Sequence, residues 1–336
     1  MSYNAIVVPG APGIPGLNFR PFRSGEYTAM AELQMRAHEA DGIESIAAAE
    51  QWRIIYEHAS DFDPQTDTLF AEVYGALVAF GRVRRREQSD GVRRFDAAGF
   101  VDPCWRRRGL GRAMLRWFER RAAAIDASLP TAPAGALLAL QCEEGEYGKR
   151  ALLQTEGFTP LRYETHLRRS LAEPIPDAPL PVGFEFRSAQ PEHYRAIWEA
   201  ADEAFQDHWG YTPGTEDDYR SWLAEPDFCS DHWCVVWHSA SNRVAALVLA
   251  DVLDAENVRF GRRRGYTEGI STRREFRRMG LARAALCESM RRFRALGFEE
   301  TYHGVDSQNL SGANRVYEWC GYRFARRETT YGKVLV

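Results

Sequence analysis

Two short stretches carry residue types suited to holding an anion: Arg106-Arg107-Arg108-Gly109-Leu110-Gly111 and Arg277-Arg278-Met279-Gly280-Leu281-Ala282. Each follows a strand-like run and opens a helix-like one. The first turn of a helix has N–H groups with no internal partner, and the helix dipole adds positive charge there. Glycine or alanine lets an anion approach those amides, and the arginines add charge-assisted pairing with phosphate. The ligand such a turn suits is a pyrophosphate or another phosphorylated cofactor. A dinucleotide fingerprint fits less well. Met114 stands at the third glycine position, and no acidic residue ends a parallel second strand at the right distance. No Gly-Lys-Ser/Thr exists to make a P-loop. A solvated turn that only caps a helix would explain one copy, but the recurrence favours the ligand.

The elements around the first turn read as a strand over 17–23, helices over 26–40 and 45–56, and strands over 68–74, 76–85 and 95–101. After the turn, Leu110, Ala113, Met114, Trp117, Phe118, Ala122 and Ile125 form one apolar helix face. Residues 136–141 read as a buried strand, 147–156 as a short helix stopped by Gly157, and 158–171 as a closing strand or hairpin. The order then repeats. It runs as strand 184–187, helices 191–205 and 215–223, strands 233–238 and 245–254, strand 266–271, helix 281–296, strand 301–306, helix 311–319 and final strands over 322–334. Arg23 and Arg187 are 164 apart, Arg106 and Arg277 are 171 apart, and Gly157 and Gly321 are 164 apart, as one duplicated domain with a small loop insertion requires. Between the copies, Pro174, Pro176, Pro179 and Pro181 predict an extended, semi-rigid linker over 172–182. The expected organisation is a flexible lead-in over 1–16, a domain over 17–171, the linker, and a domain over 183–336.

A chain of 336 residues, 45% hydrophobic and 27% charged, is long enough for two cores. The net charge is −4, and the halves divided near residue 170 carry 22 basic with 22 acidic and 21 basic with 25 acidic residues. Neither half is a polycation, so nucleic acid and anionic membranes are not expected partners. No run of 18 apolar residues is present to span a membrane. The six cysteines are scattered without a zinc pattern, so no metal is expected and the thiols suit a reducing cytoplasm. The glycine- and proline-rich start lacks the positive region of a signal peptide.

With both turns placed, the chain resembles the GNAT (GCN5-related N-acetyltransferase) superfamily in tandem, whose signature is Arg/Gln-x-x-Gly-x-Gly/Ala after a strand with an apolar end. The match in the first copy runs from Val101 through Gly111. In the second it runs from Thr272 through Ala282, with Arg274 at the usual proline. Val305-Asp306, Asn309, Ala313, Tyr317-Glu318 and Gly321-Tyr322 resemble the family's later motif. The second half is similar to mycothiol synthase-like members. The resemblance implies an α/β (α+β) fold of two domains, each a mixed, mainly antiparallel twisted sheet flanked by helices. It also implies acetyl-CoA as cosubstrate. The pantetheine arm would lie between splayed strands, paired with main-chain groups of Ile270 and Thr272. Amides from Arg278 through Met279, Gly280 and Leu281 to Ala282 would hold the pyrophosphate, helped by Arg277 and Asn309. Val101, Arg106, Arg107, Arg108, Gly109, Leu110 and Gly111 form the matching set in the first copy.

The chemistry needs an acceptor of the ammonium proton and a donor to the departing sulfur. By the resemblance, Tyr317, four residues before Gly321, is the donor. Glu268, nine residues before Arg277, is a carboxylate placed to be the base. The first copy has Leu153 and Ala97 at those spacings and Glu143-Glu144-Gly145-Glu146 in place of the Asn309 segment. It is therefore expected to be catalytically weak or silent, whether or not it binds CoA. Residues 205–211, from Phe205 to Tyr211, are polar and aromatic enough to orient an acceptor or to pack the domains. The expected reaction is acetyl transfer to a primary amine of a small molecule, by a monomer or homodimer. A non-catalytic sensor of CoA esters and an enzyme acting on protein amines are the alternatives.

Overall fold

The computed structural model describes residues 6–225, 228–308 and 312–335. In chain order the elements are β1 (Leu17–Arg20), α1 (Tyr27–Asp41), α2 (Ala49–Glu57), β2 (Thr68–Val73), β3 (Ala76–Glu87), β4 (Arg93–Val101), α3 (Leu110–Ala127), β5 (Ala136–Glu143), α4 (Tyr147–Thr155) and β6 (Thr159–Ser170). They continue as β7 (Phe184–Arg187), α5 (Tyr194–Phe205), α6 (Glu216–Leu223), β8 (Cys234–His238), β9 (Arg243–Asp251), α7 (Asp254–Phe260), β10 (Arg264–Thr272), α8 (Leu281–Ala295), β11 (Glu300–Asp306), α9 (Ala313–Trp319) and β12 (Arg323–Val334). The sequence pattern missed α7: 254–260 follows a strand closely and offers only two turns of helix.

The chain forms two compact units. Unit 1 is Met1–Arg162 with Glu328–Val336, and unit 2 is Tyr163–Arg327. The unit 1 sheet runs β1-β2-β3-β4-β5 and is completed by Glu328–Val334 of β12, antiparallel to β5. The unit 2 sheet runs β7-β8-β9-β10-β11 and is completed by Glu164–Ser170 of β6, antiparallel to β11. In each, one neighbouring pair is parallel, β4 with β5 and β10 with β11. These are the mixed, mainly antiparallel sheets expected. The strand after α4 thus completes the sheet of unit 2, and the chain's last strand completes that of unit 1. The sequence reading kept each of these strands with its own half.

Both sheets bury both faces, so side chains alternate between two cores. In unit 1, Leu69, Ala71 and Val73 join the cluster with Leu110, Met114 and Phe118 of α3, while Phe70 joins Trp52 and Tyr56 of α2. In unit 2, Cys234 and Val236 meet Leu281 and Met290 of α8, while Val235 and Trp237 meet Ile197 of α5. The apolar face read from the sequence of α3 is the face that is buried. Two segments are less free than expected. Within 6–16, Val8 is buried, Ile6 N–H bonds Phe19 O at 2.7 Å, and Ile14 packs on the unit 1 core. Ile175, Ala178 and Leu180 of the proline-rich segment pack on the unit 2 core. Apolar residues between the prolines explain both contacts.

Candidate active site

The two basic turns share one backbone course. A short 3-10 turn (Pro103–Trp105 or Arg274–Phe276) leads to an extended arginine, Arg106 or Arg277. A left-handed arginine follows, Arg107 at φ 62° or Arg278 at φ 65°, and then a left-handed glycine, Gly109 at φ 90° or Gly280 at φ 86°, before the helix. Left-handed backbone costs a non-glycine residue about 1–2 kcal/mol, and both copies keep it. Left-handed residues beside free helical amides make an anion-binding concavity. Leu110, Leu281 and their following residues open α3 and α8 with no side-chain cap on those amides.

Arg106 and Arg277 do not extend into that concavity. Arg106 bonds Val101 O through Nε at 3.3 Å and Asp41 at 2.6 and 2.8 Å. Arg277 bonds Thr272 O through Nε at 3.1 Å, Asp207 at 2.7 Å and Ala204 O at 3.2 Å. Each brings the preceding helix onto the strand end, which braces the turn. The carbonyl of Thr272, expected to pair with pantetheine, is therefore engaged. Asp207, from the segment read as an acceptor wall, also binds Arg274. Hydrogen bonds from Arg274 and Arg277 hold its carboxyl down at about 2. Tyr211 of that segment donates to Asp202 at 2.9 Å. Arg107, Arg108, Arg278 and Met279 are exposed. Arg278 has no partner among the described residues, while Arg108 stacks on Trp105 at 4.7 Å.

The surroundings of the two turns differ. A Cβ on Gly280 would meet nothing within 4 Å, whereas one on Gly109 would meet Pro12 Cβ at 3.3 Å. In unit 1 a Cβ on Gly145, beyond β5, would lie 2.0 Å from Asp41 O. The end of α1 thus spans the ends of β4 and β5. On the α1–α2 face, Arg82 lies over the rings of Trp52 and Phe62 at 5.3 and 5.2 Å, amid Tyr56, Phe80 and Phe100.

In unit 2, β10 and β11 pair as far as Tyr266–Tyr302. β10 then carries one extra residue between the pairs Glu268–Leu249 and Ser271–Leu247. Gly269, at φ 55°, supplies the left-handed kink of this bulge. Ile270 has no ladder partner on β9. β4 runs past β3 with no shift. The extra residue moves the correspondence by one. Glu268 faces Leu249, and the matching pair in unit 1 is Ala98 with Arg82, so the counterpart of Glu268 is Ala98 rather than Ala97.

Glu268 is an exposed residue of β10, yet protein lies close around its carboxyl. That enclosure is the largest influence raising its pKa to about 8. Repulsion from Glu164 and Asp251 adds to it, and a hydrogen bond from Gly304 N–H opposes it. Water reaching the open side moderates the enclosure, and the direction remains upward.

Tyr317 is buried on α9, and its hydroxyl has no hydrogen-bond partner among the described residues. Burial first, then Tyr322, Glu268 and Cys320, push its pKa well above the usual phenol range. Its ring rests 4.3 Å from that of His303. His303 Nδ1 lies 3.1 Å from Thr267 Oγ1, and that hydroxyl lies 3.0 Å from Tyr322 Oη, to which Thr301 also donates at 2.9 Å. Burial pushes His303 down to about 3, so it is neutral. The structure thus brings Tyr317 and Glu268 to one place. Asn309 lies outside the described residues. Glu164, Asp251, His303 and Gly304 were not singled out by the sequence. The glycine in His303-Gly304-Val305 was a readable sign of close approach. Glu164 gave no sign, because it belongs to a strand assigned to the other half.

The family model for the acetyltransferase (GNAT) family matches residues 27–133 and again 194–322. The chain is similar to a mycothiol acetyltransferase of Salinispora arenicola, 34% identical over 130 residues, which is 38% of each chain. It is also similar to one of Geodermatophilus obscurus, 28% identical over 212 residues, 62% of this chain and 63% of that one. The matched part therefore spans less than two thirds of these relatives. Among solved structures, a GCN5-related N-acetyltransferase from Sphaerobacter thermophilus has the same fold. It aligns at TM-score 0.68 and 23% identity over 95% of this chain and 96% of that one. A tandem GNAT protein from the clavulanic acid biosynthesis pathway aligns at TM-score 0.64 and 16% identity, over 95% and 99%. With two separate matches over most of its length, one on each unit with its left-handed basic turn, the chain belongs to the acetyltransferase (GNAT) family as a tandem member.

Proposed function

We propose that unit 2 transfers an acetyl group from acetyl-CoA to a primary amine of a small molecule by direct attack. The observation that carries this is the closeness of the Glu268 carboxyl to the buried Tyr317 hydroxyl, in the same unit as the open turn at Gly280. The residues fit the donor: free amides and unpartnered Arg278 suit a pyrophosphate, and the orphan Tyr317 hydroxyl suits a sulfur. Arg277 and Asp207 fix the turn. Acetyl-CoA supplies the activated acyl carbon. Glu268 takes the proton of the incoming ammonium, the amine nitrogen bonds the acyl carbon, and the carbon–sulfur bond breaks. Tyr317, held protonated by burial, passes its O–H proton to the leaving sulfur, which departs as the CoA thiol, and regains a proton from the second N–H that the attacking nitrogen gives up as the amide forms.

Unit 1 has Leu153 and Ala98 at the two reacting positions. Pro12 lies against its turn, Asp41 lies against Gly145, and Arg82 with aromatic rings fills the acceptor face. These features support a silent first unit that holds no acetyl-CoA. The similarity to mycothiol acetyltransferases supports a small-molecule acceptor. A thiol-release screen with acetyl-CoA and three probe amines (glucosamine, cysteine amide and spermidine) tests the reading. Turnover with one of them that Tyr317→Phe sharply reduces is the expected result. Failure of the chain to bind acetyl-CoA would sink the proposal.

A further inference from the structure

Glu164 stands on β6 opposite Asp306 of β11. Its carboxylate lies across Gly304: a Cβ there would sit 2.1 Å from Glu164 Oε1. The N–H of the same glycine is given to Glu268. One residue of β11 therefore touches two carboxyl groups, which come from the strands on either side of it. The absence of a side chain at position 304 is what allows both.

We propose that Glu164 is a positioning residue for the transfer, standing over Gly304 and acting through Glu268 to keep that carboxyl basic enough to take a proton from an ammonium. The inference rests on Glu268 being the base. A like charge disfavours the ionised form of its neighbour, and a base works best when its proton affinity matches the working pH. Repulsion by Glu164 is the second-largest influence raising Glu268, after enclosure. From the other elements packed there, Asp251 on β9 repels in the same sense. Gly304 N–H on β11 opposes, and Tyr317 on α9 faces the carboxyl as a neutral phenol. Glu164 also explains a use for β6 in unit 2 beyond covering β11: the strand arriving from the first half of the chain brings a charge to the base.

The test is a 13C NMR titration of the full chain labelled at glutamate side-chain carboxyls, with the Glu268 signal assigned by its loss in Glu268→Gln. The Glu268 midpoint should fall by roughly one pH unit in Glu164→Gln, as expected for loss of a near like charge. Glu164→Asp keeps the charge but withdraws it by one methylene, so it should move the midpoint the same way by less. That milder variant serves if Glu164→Gln does not fold. A midpoint that stays in place in the folded variants, or that rises, overturns the proposal. Kinetics with the same probe amines separate the two readings. If Glu268→Gln keeps the wild-type rate, the base assignment falls. If Glu268→Gln is slow but the midpoint ignores Glu164, the positioning role alone falls.

Discussion

Arg169 Nε donates to the carbonyl of Cys320 at 2.9 Å, joining β6 to the end of α9 across 151 residues of chain. Gly321 makes room for it: at φ 89° it takes the left-handed exit from the helix, and a Cβ there would lie 2.6 Å from Arg169 Nε. Tyr322 N–H then bonds Tyr317 O at 3.0 Å, closing the helix end. Arg169 Nη2 also binds Pro174 O at 2.7 Å. The buried guanidinium thus sets where α9, and Tyr317 on it, come to rest.

Replacing Arg169 by Met should destabilise unit 2 by about 1.5–3 kcal/mol, the usual range for hydrogen bonds from a charged group. The lost bonds leave the carbonyls of Cys320 and Pro174 without their donor. The urea midpoint followed by tryptophan fluorescence reads this out. A midpoint equal to wild type would show that α9 is held by other means.

Tyr317→Phe keeps the ring against His303 and removes the hydroxyl alone. Turnover should fall by about a hundredfold or more, the range for a positioned proton donor. The KM for acetyl-CoA should change little, because the turn at Gly280 is untouched. Thiol release under saturating acetyl-CoA measures both. Wild-type turnover would remove Tyr317 from the chemistry.

Isothermal titration should find a single acetyl-CoA per chain. Gly280→Glu should lose that binding, since φ 86° strains any side chain and the new carboxylate repels the pyrophosphate. Gly109→Glu should leave binding unchanged. Two molecules per chain would show that the contacts of Pro12 and Asp41 yield to the ligand.

Glu268 makes stability depend on pH with a definite sign. Its folded pKa, about 8, lies above the ordinary 4.5, so the folded state holds this proton more tightly. The resulting stability is complete below pH 4.5 and is lost as pH rises through about 8. Glu268→Gln should flatten the melting-temperature curve over that window. Activity should move in the opposite direction, rising as Glu268 ionises. Identical melting curves for wild type and variant would contradict the raised pKa.

A chain of residues 183–336 alone lacks β6, and with it Glu164, Arg169 and the strand that pairs with β11. It should be insoluble or fail to bind acetyl-CoA, whereas a chain of 163–327 keeps all of these. Circular dichroism and titration of the two fragments decide the matter.

The sequence by itself determined what local chemistry determines. The turns at Gly109 and Gly280 were legible because their amides, arginines and left-handed glycines lie within a few consecutive residues. Tyr317 and Glu268 were singled out through the family resemblance, each at a fixed distance from a recognisable glycine or arginine. The buried face of α3 followed from the periodicity of its apolar side chains, and the burial of β5 from its continuous apolar run.

Tertiary structure decided what depends on partners far along the chain. Whether Arg277 meets a phosphate or Asp207 is settled by where α5 ends, and the turn's own residues do not encode that. The bulge at Gly269 exists only relative to β9, and it moves the counterpart of Glu268 from Ala97 to Ala98. β6 and β12 have the composition of ordinary closing strands, and a strand's hydrogen-bonding edge does not specify which sheet it joins. Only the folded chain places Glu164 beside Gly304 and Arg169 beside the end of α9, because packing and charge act through distance in space rather than along the sequence.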